Sequence, residues 1–366
     1  MRILILRLGF LSAIILSLTT FEVLSAAPLS FGESKNYSIL FGDIYSNFLP
    51  GSLIRMELTI KNNDSSRLPV SQELVVLDSV QMKEWKTIIN VDLGPEQRQD
   101  IQLMIPVPQH QGTYRLTLGA LSDSFSGKMP MQIFNVIEPV KSPRLSKILI
   151  HSPDFEEELN VFLKKWSIKA PAFSWAQVLL LGKKGWSRLA SGDPIILQLV
   201  SRALRREMSV IILDFNPRNV DSVYSRVSLP YGISAIFSPI KSASKSFVLK
   251  SGFRELNFRM GKGLIWEWNG FDGLTVPSQE LSFEGKGVQI KAMATSGNNP
   301  VLFPVVEIIP DNRKGKLFLC QLFTEGRLEE TVQLPRHQTD DPVYDPSAVQ
   351  FLLNLLSEAV GDNLLK

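Results

Sequence analysis

The chain has 366 residues, of which 44% are hydrophobic and 20% are charged, and its formal net charge is +3. This composition supports packed cores and excludes a globally disordered chain, and the length is sufficient for two domains of ordinary size. The charge is small and no long basic run accompanies it, so the sequence gives no reason to expect nucleic-acid binding.

The first 27 residues have the order of a signal peptide. Arg2 and Arg7 give a basic start, an apolar stretch that includes Leu8–Leu18 follows, and small residues at 25–27 offer a cleavage site. The apolar stretch is shorter than the roughly 20 residues of a membrane span; an uncleaved N-terminal anchor is the alternative. No Cys follows the stretch, so a lipoprotein anchor has no support. We therefore expect a secreted or periplasmic protein with no membrane span in the mature chain.

Residues 37–138 have the pattern of an antiparallel β-sandwich. Apolar and polar residues alternate from Ile54 to Lys61, which is typical of a strand with one buried face. Turn residues separate this strand from further candidates, which are Glu73–Leu77, Trp85–Val91, Ile101–Val107, Tyr114–Leu118 and Met131–Val136. About seven short strands in roughly 100 residues predict an immunoglobulin-like domain, although the Cys…Trp…Cys pattern of antibody domains is absent. Residues 139–146 contain two prolines and are interpreted as an extended linker.

Residues 147–366 alternate between short apolar strands and helices. Strands are expected at 147–150, 177–181 and 209–213, and helices are expected to open at Ser152-Pro153, Asp193-Pro194 and Asp345-Pro346. This order predicts an α/β domain with an open, mostly parallel, doubly wound sheet of flavodoxin-like type. The stretch 218–300 is harder to assign and is interpreted as an insertion or a mixed sheet edge.

Three residues are candidates for catalysis, because ligands of doubly wound sheets bind where the strands end. His151 follows the first strand, where it is either a general base or an ordinary hydrogen-bonded loop residue. Asp214 follows the third strand, where it either binds a ligand or caps a turn. Glu307 lies in an apolar run, and a buried carboxylate needs a partner that is either catalytic or structural.

Three tryptophans are candidates for ligand binding. Trp266 and Trp268 are one residue apart, so in a strand they share a face that either stacks on a sugar ring or covers a sheet or domain interface. Trp186 follows a Gly-flanked basic segment that lacks the spacing of a phosphate loop, and we expect it to pack over a tight turn.

Other catalytic and metal-binding patterns are absent from the sequence. Cys320 is the only cysteine and lies in the apolar run Leu317–Cys320, which indicates a small buried residue rather than a nucleophile. No G-x-S-x-G elbow occurs, and the three histidines have no metal-site spacing. The sequence therefore predicts no metal and no cofactor.

Several sequence segments resemble segments of known carbohydrate-active proteins. The segments 49–52, 62–63, 91–95 and 106–116 resemble the immunoglobulin-like modules of bacterial glycoside hydrolase family 2, the β-galactosidase-type enzymes. The segments 303–307 and 315–322 and the helix from Asp345 to Leu356 resemble the accessory domain that follows those modules. That accessory domain is similar to the class I glutamine amidotransferase fold, usually without its catalytic Cys.

The resemblance implies a carbohydrate-related context rather than glycosidase activity, because a chain of this length has no room for the catalytic barrel of those enzymes. The leading hypothesis is a secreted, non-catalytic binding or assembly module whose partners are glycans or glycan-degrading enzymes. One alternative is a hydrolase that acts on glycosides through the loops around His151, Asp214 and Glu307. Another is a periplasmic scaffold for a protein partner.

Overall fold

The computed structural model describes residues 30–33, 36–119, 129–215, 226–239, 247–249, 265–266, 279–284, 288–292, 294–295, 305–310, 315–321, 324–330 and 343–360. The predicted signal peptide and Trp268 lie outside the described residues. Across these ranges, no helix combines the length and the apolar character that a bilayer crossing requires.

The N-terminal part of the chain forms two packed sheets. Its strands are β1 (Ser30–Glu33), β2 (Tyr37–Phe41), β3 (Asn47–Phe48), β4 (Leu53–Asn62), β5 (Leu68–Leu77), β6 (Lys83–Leu93), β7 (Arg98–Pro106), β8 (Gly112–Leu118) and β9 (Met131–Val136). Within the described residues, one sheet has the order β1-β2-β4-β7 and the other has the order β3-β9-β8-β5-β6. The pairings are antiparallel except for β3 with β9, which is parallel. The immunoglobulin-like assignment of this part stays a prediction.

Alternating apolar residues fill the space between the two sheets. Ile54, Met56 and Leu58 of β4 are fully buried, as their spacing of two residues requires. An aromatic group packs along one of the two sheets, on its neighbouring strands β3, β9 and β8: the Phe134 ring stacks on Tyr114 and meets Phe48 edge-on, with 5.7 Å between ring centroids in both pairs. The Tyr114 hydroxyl donates a hydrogen bond to the carbonyl of His110 at 2.8 Å, so the ring is buried without leaving its polar atom unsatisfied.

The predicted extended linker contains a short helix. Pro143–Lys147 forms a 3-10 helix that is capped by the Ser142 side chain and buries Leu145. The prediction of extended backbone is wrong here, because Pro at the first helical position favours a helical turn when a serine precedes it.

The C-terminal part contains a six-stranded sheet within the described residues. Its strands are β10 (Ile150–His151), β11 (Val178–Leu181), β12 (Ser209–Ile212), β18 (Val288–Ala292), β20 (Val305–Pro310) and β21 (Leu317–Cys320). The order is β10-β11-β12-β21-β20-β18. The first four are parallel to one another, and β20 and β18 are antiparallel to their neighbours.

Helices cover both faces of this sheet. They are α1 (Glu157–Lys165), α2 (Lys183–Ala190), α3 (Pro194–Arg205) and α4 (Pro346–Val360). On one face α1 and α4 pack against Val178 and Leu180. On the other face α2 and α3 pack against Leu179 and Leu181. The continuous apolar sequence of the central strands follows from burial on both faces. The similarity to an amidotransferase-like or flavodoxin-like fold stays a prediction.

The helix starts agree only in part with the sequence signals. Asp193 caps α3 through the amide of Ile195, and Asp345 caps α4 through the amide of Ser347, both at 2.8 Å, so these two predicted starts are confirmed. The start predicted at Ser152-Pro153 is wrong, because a turn intervenes in which the Glu156 amide donates to the Pro153 carbonyl, and α1 begins only at Glu157.

The region between β12 and β20 adds two small sheets in the described residues. Its further strands are β13 (Arg226–Leu229), β14 (Ile233–Pro239), β15 (Phe247–Leu249), β16 (Ile265–Trp266), β17 (Gln279–Glu284) and β19 (Ala294–Thr295). Their orders are β13-β14-β17 and β16-β15-β19. Residues of β13 and β14 join the hydrophobic cluster around α2 and α3.

Polar contacts connect the sandwich to the start of α4. The Asn47 side-chain amide donates to the Asp345 carboxylate at 3.3 Å and to the Ser347 hydroxyl at 3.2 Å. The Gln350 side chain accepts from the backbone amide of Val140 at 2.6 Å and donates to the same residue's carbonyl at 3.1 Å. These buried or half-buried hydrogen bonds fix the first turn of α4 against β3 and the connecting segment.

Candidate functional site

A cavity of about 190 Å³ lies at the carboxyl edge of the parallel strands. It is bordered by the first turns of α1 and α2, by Asp214 two residues after β12, and by the segment after β21. Its lining residues are Glu156, Glu157, Glu158, Leu159, Gly182, Lys183, Lys184, Asp214, Thr324 and Glu325. This is the edge at which open α/β sheets bind ligands, and the lining is dominated by carboxylates.

Glu156 holds the start of α2. Its Oε1 atom accepts hydrogen bonds from the backbone amides of Gly182 at 2.9 Å and Gly185 at 2.6 Å. The carboxylate therefore serves as the N-terminal cap that Gly182 itself has no side chain to provide. Burial raises the pKa of Glu156, and the two amide hydrogen bonds oppose that rise.

Glu158 holds the segment that follows β21. Its Oε1 atom accepts from the amide of Gly326 at 2.9 Å and, at a longer 3.4 Å, from that of Leu328. Burial raises the pKa of Glu158 to about 7, against the lowering effect of the Gly326 hydrogen bond, and the negative charge of Asp214 adds to the rise.

Asp214 holds the same segment from the other side. It follows β12 with a φ of 53°, in the left-handed region that Asp tolerates better than most residues. Its carboxylate accepts from the amide of Thr324 at 2.6 Å and from the Thr324 hydroxyl at 3.0 Å. Only 2% of Asp214 is exposed, and burial raises the pKa of its carboxyl to about 6 although both hydrogen bonds favour the charged form.

A buried arginine lies behind these carboxylates. Arg327 has no exposed surface, and its carbonyl accepts a hydrogen bond from the Asp345 amide at 3.0 Å. Burial lowers the pKa of Arg327, while the negative charges of Asp345, Asp214 and Glu158 raise it. The positive charge therefore compensates the buried acids that surround it, as buried charges require.

Two lysines face the acids at the rim of the cavity. Lys183 Nζ lies 2.6 Å from a Glu325 carboxylate oxygen, and Lys184 Nζ lies 3.4 Å from one of Glu157. Both lysines are more than one-third exposed, so these pairs contribute little to stability. They leave the cavity with carboxylate acceptors and ammonium donors, which together match a ligand that carries several hydroxyl groups.

In the ranges that the structure describes, no group of three or more His, Cys, Asp and Glu side chains is placed to hold a metal ion. Three acids of the cavity, Glu156, Glu158 and Asp214, accept hydrogen bonds from neighbouring backbone amides.

Of the three predicted catalytic candidates, the structure places only Asp214 in the cavity. His151 lies on edge strand β10, where its Nδ1 atom is 3.1 Å from the Pro171 carbonyl and its ring meets Phe173 edge-on. Glu307 lies on β20 opposite Phe318 and is paired with Lys316 at 2.7 Å, near the amino end of β21. The geometry therefore does not unite the three residues in one site.

The structure describes the three predicted ligand-binding tryptophans to different extents. Trp186 lies on α2 rather than on a tight turn, has no exposed surface and packs 4.2 Å from the Phe215 ring, so it has no face for a ligand. Trp266 ends the short strand β16, and nothing is described of its side chain or of Trp268. Cys320 is buried in β21, which confirms its assignment as a core residue.

Sequence reasoning missed the acids that form most of the cavity. Glu156 and Glu158 were not among the predicted candidates, and the helix at Lys183–Ala190 was not predicted. The available signal was the position of the Glu156-Glu157-Glu158 run immediately after the first strand, at the ligand-binding edge of the sheet.

Comparisons with known proteins give little guidance. No protein family matches the chain, and no curated protein matches it. Among solved structures, a β-glucosidase from Listeria innocua in complex with isofagomine is 16% identical over 29% of this chain and 17% of its own, with a TM-score of 0.23. A β-glucosidase from Erythrobacter marinus is 15% identical over 30% of this chain and 16% of its own, also at 0.23.

A third solved structure has an unrelated activity. It is an alkylpurine DNA glycosylase from Pseudomonas fluorescens bound to DNA, 10% identical over 27% of this chain and 30% of its own, with a TM-score of 0.21. The chain thus spans less than one-third of each of these proteins. These TM-scores are too low to establish a shared fold.

Proposed function

We propose that the chain is an exported, non-catalytic accessory protein of carbohydrate degradation. In this proposal it binds a sugar unit of a glycan in the cavity at the carboxyl edge of its sheet. The observation that carries the proposal is the lining of that cavity, which combines several carboxylates with Lys183 and Lys184. Carboxylates accept hydrogen bonds from hydroxyl groups, and ammonium groups donate to hydroxyl oxygens.

The hydrogen bonding of the buried acids supports a binding role rather than a catalytic one. Glu156, Glu158 and Asp214 each accept backbone amide hydrogen bonds that hold a neighbouring helix start or loop. A general acid or base needs to reach the substrate, whereas these oxygens already position the walls of the cavity. Cys320 is the last residue of β21, is buried in the hydrophobic core and does not line the cavity, so it is not placed there as a nucleophile.

Calorimetric titration with neutral oligosaccharides of the gluco, manno, xylo and galacto series tests this proposal. We expect binding to one series, no release of reducing sugar, and roughly tenfold weaker binding in Lys183→Gln, because replacing a charged hydrogen-bond donor by a shorter, neutral one costs about 1.4 kcal/mol in such a site. Lys61→Gln, at an exposed position of β4, is the matched control. Unchanged affinity in Lys183→Gln would show that the cavity does not bind the oligosaccharide.

A hydrolase is the second candidate function, and one observation favours it. The pKa of Glu158 is raised to about 7 beside Asp214, whose own pKa is about 6, and such neighbours are a recurring feature of acid–base sites. Release of reducing sugar by the wild-type protein, abolished in Glu158→Gln, would establish this candidate in place of the first. Release that persists in the variant would indicate a contaminating enzyme.

A further inference from the structure

We propose that a second surface, on the edge of the α/β part, binds acidic polysaccharides that contain uronate units. The surface consists of the 3-10 helix Phe173–Trp175 and two exposed arginines. Arg202 lies on α3, and Arg206 is the residue that caps the C-terminal end of α3. This inference concerns a site distinct from the cavity and does not depend on it.

The aromatic part of the surface is an exposed indole. Trp175 is 73% exposed, the highest value among the large hydrophobic residues that the structure describes as exposed. The backbone beneath it is fixed, since the Trp175 amide donates to the Ala172 carbonyl at 3.0 Å. An exposed indole on a fixed backbone offers a flat face on which the C–H face of a sugar ring can stack.

The cationic part of the surface is held against the same short helix. The guanidinium groups of Arg202 and Arg206 lie 5.4 and 5.7 Å from the centroid of the Phe173 ring, and each makes a cation–π contact with it. Arg206 also donates to the carbonyl of Ser174, the residue directly before Trp175. Cation–π stacking uses the face of a guanidinium and leaves its in-plane N–H groups to bind a carboxylate in a bidentate way.

The arginines of this surface are not ion-paired within the described residues, and the acidic Glu207 directly follows Arg206 in the sequence. The contrast with Arg188 of α2 is informative, because that arginine is bound to Asp193 at 2.7 Å while it lies over Phe155. An anionic partner would supply the missing charge to α3.

The compactness of the surface favours a uronate over a nucleic acid. In a uronate the carboxylate is attached directly to the ring, so one unit can place its ring on Trp175 and its charge on a neighbouring arginine. In a nucleotide a ribose separates the base from the phosphate, and non-specific single-strand binding uses a longer groove that follows the backbone. Here Arg202 and Arg206 both contact the single 3-10 helix Phe173–Trp175, and no extended groove is described there.

Binding of polygalacturonate, measured by calorimetry with the full chain, tests the inference. We expect affinity for polygalacturonate, none for neutral dextran, weaker binding as salt rises, and at least a tenfold loss in Trp175→Ala and in the double variant Arg202→Gln/Arg206→Gln. Arg55→Gln, which removes an exposed arginine of β4, should leave the affinity unchanged. Trp175 is exposed, so its replacement leaves the fold intact, and circular dichroism checks this directly.

Two results would overturn the inference. Equal affinity for polygalacturonate in the wild type and in both surface variants would show that this surface is not used. Tighter binding of a single-stranded DNA oligonucleotide than of polygalacturonate, lost in the same variants, would make the surface a nucleic-acid site. Because the cavity is tested with neutral oligosaccharides and Lys183→Gln, its failure and the failure of this inference are distinguishable.

Discussion

The interior of the sandwich and the carboxyl edge of the α/β sheet bury polar groups in opposite ways. Among the described residues of the sandwich, the buried polar side chains are chiefly neutral, as with Asn47, Asn62 and Gln72, and the buried acid Glu73 is paired with Lys83. At the carboxyl edge, by contrast, Glu156 and several other charged groups are buried together.

The difference shows that the energetic cost of burying charge is concentrated at the carboxyl edge of the α/β sheet. Neutral amides close the ends of the sandwich strands: the Asn62 side chain donates to the carbonyls of Ser66 and Gly94 at 2.7 and 2.8 Å. Buried charges are expensive unless they are compensated, and they are common where binding or catalysis occurs. The carboxyl edge is thus the part of the molecule whose stability depends on pH and on long-range partners.

The largest expected effect is that of removing the buried arginine. Arg327→Ala leaves the negative charges of Asp345, Asp214 and Glu158 uncompensated, and we expect it to lower the free energy of unfolding by about 3–5 kcal/mol in neutral solution. Urea unfolding of this variant and of the exposed control Arg55→Ala measures the difference. A loss no greater than that of the control would show that Arg327 does not compensate these acids.

A close approach at the start of α2 gives the next effect. A Cβ atom at Gly185 would lie 2.7 Å from Glu156 Oε1 and 2.9 Å from the Leu181 Cβ atom, so Gly185→Ala must displace one of them. We expect a loss of about 1–3 kcal/mol on thermal or urea unfolding. Gly112→Ala is the control, because its nearest neighbour would be an ordinary 3.5 Å away, and a similar loss there would contradict the explanation.

The raised pKa values predict that stability falls as pH rises. Glu158 and Asp214, with pKa values of about 7 and 6, bind a proton more tightly in the folded chain than in the unfolded one. The stability they contribute is therefore complete below their unfolded values near pH 4 and is lost as pH rises through about 6 and 7.

Urea unfolding from about pH 5 to about pH 8 measures this dependence. We expect a decrease on the order of 1–2 kcal/mol in the wild type and a shallower decrease in Glu158→Gln. Glu84→Gln, at an exposed position of β6, should retain the full dependence. An identical slope in all three proteins would show that Glu158 does not titrate in this window.

The smallest effect tests the connection between the two compared regions. Asn47→Ala removes the hydrogen bonds from β3 to Asp345 and Ser347, and we expect a loss of about 1 kcal/mol in the free energy of unfolding. Ser347→Ala should cost less, because it removes one acceptor of Asn47 and keeps the hydrogen bond from Asn47 to Asp345. If both variants unfold like the wild type, these hydrogen bonds do not stabilise the junction.

The sequence was sufficient where local rules decide the structure. Alternation from Ile54 to Lys61 located β4, and Asp-Pro pairs located the starts of α3 and α4. It was insufficient where a distant residue provides the cap. Gly182 gives no local sign of a helix start, because its cap is Glu156, 26 residues away. Periodicity does not encode such contacts.

Contacts between residues distant in sequence also explain why only part of the candidate site was predicted. Asp214 was found by its position after a strand, but the residue that it binds, Thr324, is 110 residues further along the chain. Trp175 was missed because a single aromatic residue in a loop has no periodic pattern to separate it from the core. Its exposure became evident only from the packing of its neighbours.

Hydrogen–deuterium exchange with a bound neutral oligosaccharide tests the central claim most directly, because it shows which backbone amides a ligand protects. The account predicts slower exchange in the segments 182–185 and 324–328, which border the cavity, with the oligosaccharide intact at the end of the experiment. Protection confined to the sandwich, or an oligosaccharide recovered as hydrolysed fragments, would contradict it.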